Sequence, residues 1–238
     1  MKKILIYIVL FIAIIVGIVF LISKNKEKDV AVIPVISKEP ILMCYQYSKE
    51  TPSGFADRAW LKMNILGDKV TGEYQNIPAE KDSKVGEFSG TVGSMDPKIS
   101  GRIADVWWDS EGEGMSVTEQ LKIEFGEGGA VALFGEMVDR GDGVYLYKDA
   151  TKLTSGFQMS QTDCEVLDDK IIVEKYIREN IETIAPIKPV LGGSWYVTLV
   201  NINPSMKTGT MTYEDGHIQR KTEFSYTITD GKVTVKKM

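Results

Sequence analysis

The chain of 238 residues holds one histidine and two cysteines, and each scarcity removes a class of chemistry. A standard zinc site draws its ligands from several His and Cys residues, so His217, Cys44 and Cys164 cannot build one, and neither a metal nor another cofactor is expected. The cysteines form no C-x-x-C pair, which removes dithiol redox chemistry, and a nucleophilic cysteine would need His217 beside it as its base. Positive charge is also short. Of 28 basic and 33 acidic residues, Lys2, Lys3, Lys24, Lys26, Lys28 and Glu27 belong to the first 28 positions, leaving a charge of −9 on residues 29–238. So acidic a segment repels phosphate backbones, and nucleic acid is not expected as a partner. No repeat of fixed period and no low-complexity tract occurs.

Apolar residues make up 43% of the chain, enough for a full core without a metal or a dense disulfide framework. The run Ile4 to Ile22 is apolar throughout, close to the ~20 residues a helix needs to cross a bilayer. A cleaved signal peptide would have a shorter apolar core, roughly 7 to 15 residues, ending at a small-x-small site. Here Phe20-Leu21-Ile22 runs into Ser23-Lys24, so the expectation is an uncleaved signal-anchor with the membrane as partner through residues 4–22. Residues 1–23 would form a cytoplasmic tip and a single transmembrane helix, residues 24–40 (with VAVIPVISKEP) an extended stalk, and residues 41–238 a domain outside the cytoplasm. Two lysines precede the run and three follow it, so charge alone does not orient it; the short N-terminal tail favours the N-inside layout. Cys44 lies too far downstream for a lipoprotein anchor. In an exported domain Cys44 and Cys164 are expected to form one disulfide, closing a loop of about 120 residues, with two buried thiols as the other reading.

From Ile41 the pattern alternates in twos: Met43, Tyr45 and Tyr47, then Leu61, Met63 and Ile65 against Lys62 and Asn64. Gly67-Asp68 fits a two-residue hairpin loop. Further strands are predicted at 87–92, 102–108, 119–125, 130–134 and 144–147, joined by Gly- and Asp-rich turns. One amphipathic helix is predicted over 163–185, with a capping box at Thr162 to Glu165 and an apolar stripe of Val166, Val173, Ile177, Ile181 and Ile184; Pro186 and Pro189 end it. Strands resume over 194–236, with Trp195, Val197 and Leu199 on one face and a last hairpin at Asp230-Gly231. The fold class is mainly β, a small antiparallel barrel or meander with the helix plugging or covering one end.

The segments LKMNILGDKVTGEYQNIPAEKDSKVGEFSGTVG, VEKYIRENIETI, LGGSWYVT and YEDGHI resemble a set of small, membrane-anchored exported bacterial proteins of unknown function. Gly193-Ser194-Trp195-Tyr196 and the Gly86 to Gly90 rhythm are similar to META-type and lipocalin-like barrels. These resemblances imply a small β-barrel and no activity.

Trp107-Trp108 cannot both face a core from one strand, so one ring should be exposed or sit in a barrel mouth, where it could stack on a ligand. With Asp109 and Glu111 these rings are the candidate ligand-binding residues. Asp109, Glu111 and Glu113 are spaced like the first half of a calcium loop, but Gln120 stands where a bidentate carboxylate is required. Glu214-Asp215-Gly216-His217 reads as a hairpin turn before it reads as a catalytic cluster. Arg140-Gly141-Asp142 is ordinary turn chemistry, and Asp168-Asp169 suit the start of a helix. No catalytic constellation assembles. The expected function is a membrane-tethered binding or interaction module for a cell-envelope protein or small ligand. The alternatives are a hydrolase using carboxylates around Asp109, Glu111 or Glu214, and a carrier of a small apolar ligand.

Overall fold

Alternation in twos becomes a long antiparallel meander. The computed structural model describes residues 39–190 and 193–238; the expected anchor 4–22, and the stalk except for its last two residues, lie outside them. No helix among the described residues is long and apolar enough to cross a membrane.

Seven strands follow one another as neighbours: β1 (Ile41–Glu50), β2 (Ala56–Leu66), β3 (Lys69–Ile77), β4 (Lys84–Val92), β5 (Gly101–Gly112), β6 (Met115–Gly126) and β7 (Gly129–Phe134). Leu61, Met63 and Ile65 are buried while their neighbours Lys62 and Asn64 face away, as the period-2 pattern requires. The inner face is filled by large side chains, among them Tyr45, Leu61, Met63, Tyr74, Trp108, Leu121 and Ile123. Gly67 (φ 68) and Asp68 close the expected two-residue turn, with Leu66 paired to Lys69. Gly72 lies opposite Phe88, whose ring occupies the space a Cβ would need, so only glycine fits there.

Beyond β7 come the short strands β8 (Met137–Asp139), β9 (Val144–Tyr147), β10 (Thr154–Ser155) and β11 (Ser160–Thr162). β9 joins β6 in parallel, β10 pairs with β7, and β11 pairs with β1. The strap 154–162 thus touches both edges of the meander, which must curl around its apolar face. The expected barrel is not formed, however. β10 and β11 are two and three residues long, and the stretch between them adds one hydrogen bond, Gly156 N–H to the Ala132 carbonyl, and an isolated bridge, Met159 to Ala130, so the ladder does not close.

The helix α1 spans Cys164–Ile184. Its cap is Asp163, whose carboxylate accepts from the Glu165 and Val166 N–H groups; Thr162 is occupied in β11, opposite Cys44. Its fully buried residues are Leu167, Val173, Ile177 and Ile181, with Leu167 in the place expected for Val166. Neither does α1 plug a barrel. Its Val173, Ile177 and Ile181 pack with Trp195 and with Met211, Tyr213, Phe224 and Val233 of a second, four-stranded sheet that begins just after Trp195. That sheet runs in order through β12 (Tyr196–Asn203), β13 (Thr208–Glu214), β14 (Gln219–Thr229) and β15 (Lys232–Lys237). A bulge at Thr198 shifts the register of β12, so Val200 joins Val197 in this core where Leu199 was expected.

Cys44 and Cys164 form a disulfide, with Cα atoms 5.2 Å apart. It ties the start of α1 to β1 across 120 residues. By the chain-entropy argument such a loop is worth about 5 kcal/mol. Denaturant unfolding with and without reductant should show a loss approaching that value, and a Cys44→Ser, Cys164→Ser double variant should show the same loss without responding to reductant.

Candidate functional site

The outward side chains of β1–β3 form an ordered array through strand register. Gln46 stands opposite Trp60 and Ser48 opposite Arg58, and on the far side Trp60 faces Gln75 and Arg58 faces Ile77. This array is the floor of a cleft of about 660 Å³. Its roof is the polar stripe of α1, with Lys170, Glu174 and Arg178 at successive four-residue steps, and its side is Val200, Asn201 and Ile202 of β12. The cleft lies among α1, the outer face of the first sheet and the edge strand of the second.

At its centre two guanidinium groups share one carboxylate. Arg58 Nη1 donates to Glu174 Oε1, and Arg178 Nε donates to the same oxygen at 2.8 Å. Arg178 Nη1 also donates to the Val197 carbonyl at 2.6 Å, which β12 leaves available as an edge strand. Arg178 Nη2 is buried and 2.7 Å from Glu174 Oε1, but poorly aligned for a hydrogen bond. Burial, and then the adjacent Arg178 charge, lower the Arg58 pKa to about 10, so it stays protonated at neutral pH. Burial also lowers Arg178 and Lys170; the Lys170 ammonium donates to Gln46 Oε1 at 2.9 Å. Nearer the disulfide, Lys62 pairs with Asp168 at 2.7 Å.

The residues singled out from the sequence lie elsewhere. Trp108 is buried in the first sheet, donating its ring N–H to the Gly86 carbonyl at 3.1 Å and packing on Tyr74. Trp107 is 39% exposed and shares the outer face of β5 with Asp109 and Glu111. One ring in and one out is what alternation demands, but the inner ring fills the core and neither tryptophan lines the cleft. Asp109 accepts from the Thr118 hydroxyl at 2.5 Å across β5 and β6. Glu113 (φ 50) and Gly114 (φ 75) make the hairpin turn between those strands, so the calcium-like spacing is spread along a ladder. No group of three or more carboxylate, His or Cys side chains among the described residues is arranged to hold a metal ion.

No family model, curated protein or solved structure matches this chain. Its site is therefore read from geometry alone.

Around His217, the carboxylate that matters is structural. Asp215 accepts from the N–H groups of Val190 (2.8 Å), His217 (3.0 Å) and Ile218 (2.9 Å), closing the β13–β14 loop and holding the segment after α1. Burial raises its pKa, but the three donors outweigh burial and leave it below the usual carboxylate range. Glu214 accepts from the Tyr196 hydroxyl. Asp109 and Glu111 belong to the first sheet and Glu214 to the second, and no hydrogen bond joins them among the described residues. Arg140 and Asp142 pair with each other in the loop between β8 and β9. Asp168 and Asp169 pair with Lys62 and Lys207.

Reading the sequence missed Arg58, Trp60, Lys170, Glu174 and Arg178. One signal was there: three charges at four-residue spacing along a helical stripe that flanks the apolar one.

Two outcomes follow. Glu174→Ala leaves two half-buried guanidiniums facing each other and should cost about 2 to 3 kcal/mol in denaturant unfolding. For Asp215, a pKa depressed by folding contributes stability above the unfolded carboxyl value, about 3.9, and loses it as pH falls through the folded value. Asp215→Asn should therefore flatten the acid limb of a stability–pH curve.

Proposed function

We propose that this protein is a membrane-tethered binding module, holding its ligand on the non-cytoplasmic side in the cleft between α1 and the first sheet. The observation that carries this reading is the cleft itself. Its volume, about 660 Å³, is in the range of small-molecule sites, and charged and amide groups converge there beside the apolar surfaces of Trp60, Ile77, Ile171 and Ile202. The tether rests on the apolar run Ile4 to Ile22, and the compartment on the Cys44–Cys164 bond, since such bonds persist in oxidising surroundings. A hydrolase would need carboxylates facing one another, and Asp109, Glu111 and Glu214 stand on two sheets. A carrier of apolar ligands would need room inside the meander, where Trp108, Tyr74 and Tyr45 are fully buried against one another's neighbours. Both alternatives are weaker than the cleft.

The test is a thermal-shift screen of the full chain in non-ionic detergent against small acids, sugars, amino acids and peptides. A ligand at 100 times its Kd adds about 2.7 kcal/mol, a shift of several degrees. Asn201→Trp, at an exposed position on the cleft wall, should abolish the shift while leaving the ligand-free Tm nearly unchanged. Hits that survive this substitution would place the ligand elsewhere.

A further inference from the structure

The charge in the cleft runs against the charge of the chain. The protein carries a net charge of −5, yet the cleft centre sets Arg58 and Arg178 against the single carboxylate of Glu174, with Lys170 beside them. The two guanidiniums and the Lys170 ammonium against one carboxylate leave two uncompensated positive charges in a partly desolvated pocket, where side-chain exposure is 18% for Arg58 and 33% for Arg178. Desolvated charge of one sign attracts a counter-ion strongly. Donors remain free to meet it. Arg58 uses Nη1 on Glu174, while its Nε and Nη2 make no hydrogen bond among the described residues. These two groups form the planar fork that matches a carboxylate or phosphate oxygen pair.

We propose that the cleft binds a small organic carboxylate, its carboxyl group docked on Arg58 beside Arg178 and its apolar body lying against Trp60 and Ile77. This assignment rests on the cleft being the ligand site and names the ligand class. Arg58 offers two free N–H groups, which the two oxygens of a carboxylate satisfy; a phosphate monoester brings a third oxygen and a second negative charge beside Glu174, which already holds Arg58 Nη1. The walls beside the cluster are apolar, with Ile171, Val200 and Ile202 completing them, so the ligand must carry more than its charge.

The probes are 4-phenylbutyrate, its neutral amide 4-phenylbutanamide, and phenyl phosphate, titrated calorimetrically into the full chain in non-ionic detergent. The acid binds, the amide binds at least roughly tenfold more weakly, and added salt weakens the acid alone. Two substitutions act in opposite directions. Arg58→Gln weakens the acid at least roughly tenfold by removing the fork, and Glu174→Gln tightens it by a similar factor by removing the competing carboxylate. A cluster with only a structural role would lose binding in both variants, and that outcome overturns the proposal. If Glu174→Gln does not fold, Arg58→Gln and the acid–amide ratio still decide. Equal binding of acid and amide, blocked by Asn201→Trp, would overturn the carboxylate class and leave the cleft as a binding site. Tighter binding of phenyl phosphate would transfer the site to phosphates. No binding of any probe overturns the assignment, while the wider screen with Asn201→Trp judges the cleft separately.

Discussion

Helix α1 has one apolar stripe and two sheets to satisfy, and the architecture follows from how that stripe is spent. Val173, Ile177 and Ile181 go to the second sheet, whose core they complete. Toward the first sheet the helix presents Asp168, Lys170, Glu174 and Arg178. A sheet and a helix that meet through apolar side chains interdigitate at the density of a crystal. Here Leu167 and Ile171 supply the apolar part of the contact and long charged chains the rest, and a gap results. The first sheet can accept this because its own inner face is already filled by Trp108, Tyr74 and Tyr45 and asks nothing of the helix.

That division decides where chemistry can happen. The inner face of the meander and the core of the second sheet hold large apolar side chains, so polar groups concentrate on the outer face of β1–β3 and on the facing stripe of α1. Strand register does the rest. Ser48 opposite Arg58 and Gln46 opposite Trp60 place small or flexible partners beside a large cation and a large ring, which leaves both accessible from above.

Most of the strands were legible because their inward residues alternate with polar ones, and the hairpins at Gly67-Asp68 and Asp230-Gly231 because Gly67, Asp230 and Gly231 take the positive φ such turns require. The helix ends within one residue of the predicted 163–185 for a similar reason: a polar capping segment before it and prolines after it are local signals, though the cap is Asp163 and not Thr162. What failed depended on partners far away in sequence. Thr162 satisfies the local grammar of a cap, yet β11 claims it for Cys44. Trp195, Val197 and Leu199 alternate on paper, yet a bulge at Thr198 exchanges Leu199 for Val200. Barrel closure turned on whether a nine-residue strap would pair continuously, which no hydrophobic pattern encodes. The cleft was hidden most deeply. Arg58 and Arg178 are 120 positions apart, and each alone reads as a solvated surface charge; only the packing of α1 over β2 brings them to one carboxylate.

Magnitudes show what keeps the roof over the floor. The ion pair Lys62–Asp168 is a third to a half exposed, and such pairs contribute at most about 1 kcal/mol. Arg58–Glu174 is better shielded but sits in a cluster whose second cation opposes the first, so its net attraction is smaller than its contact suggests. The Cys44–Cys164 bond, worth about 5 kcal/mol by loop closure, outweighs these contacts and acts at the end of α1 where they begin. A covalent pin at that end lets the polar stripe remain polar. Without it, holding α1 on the first sheet would favour apolar residues at positions 170, 174 and 178, and these would fill the cleft.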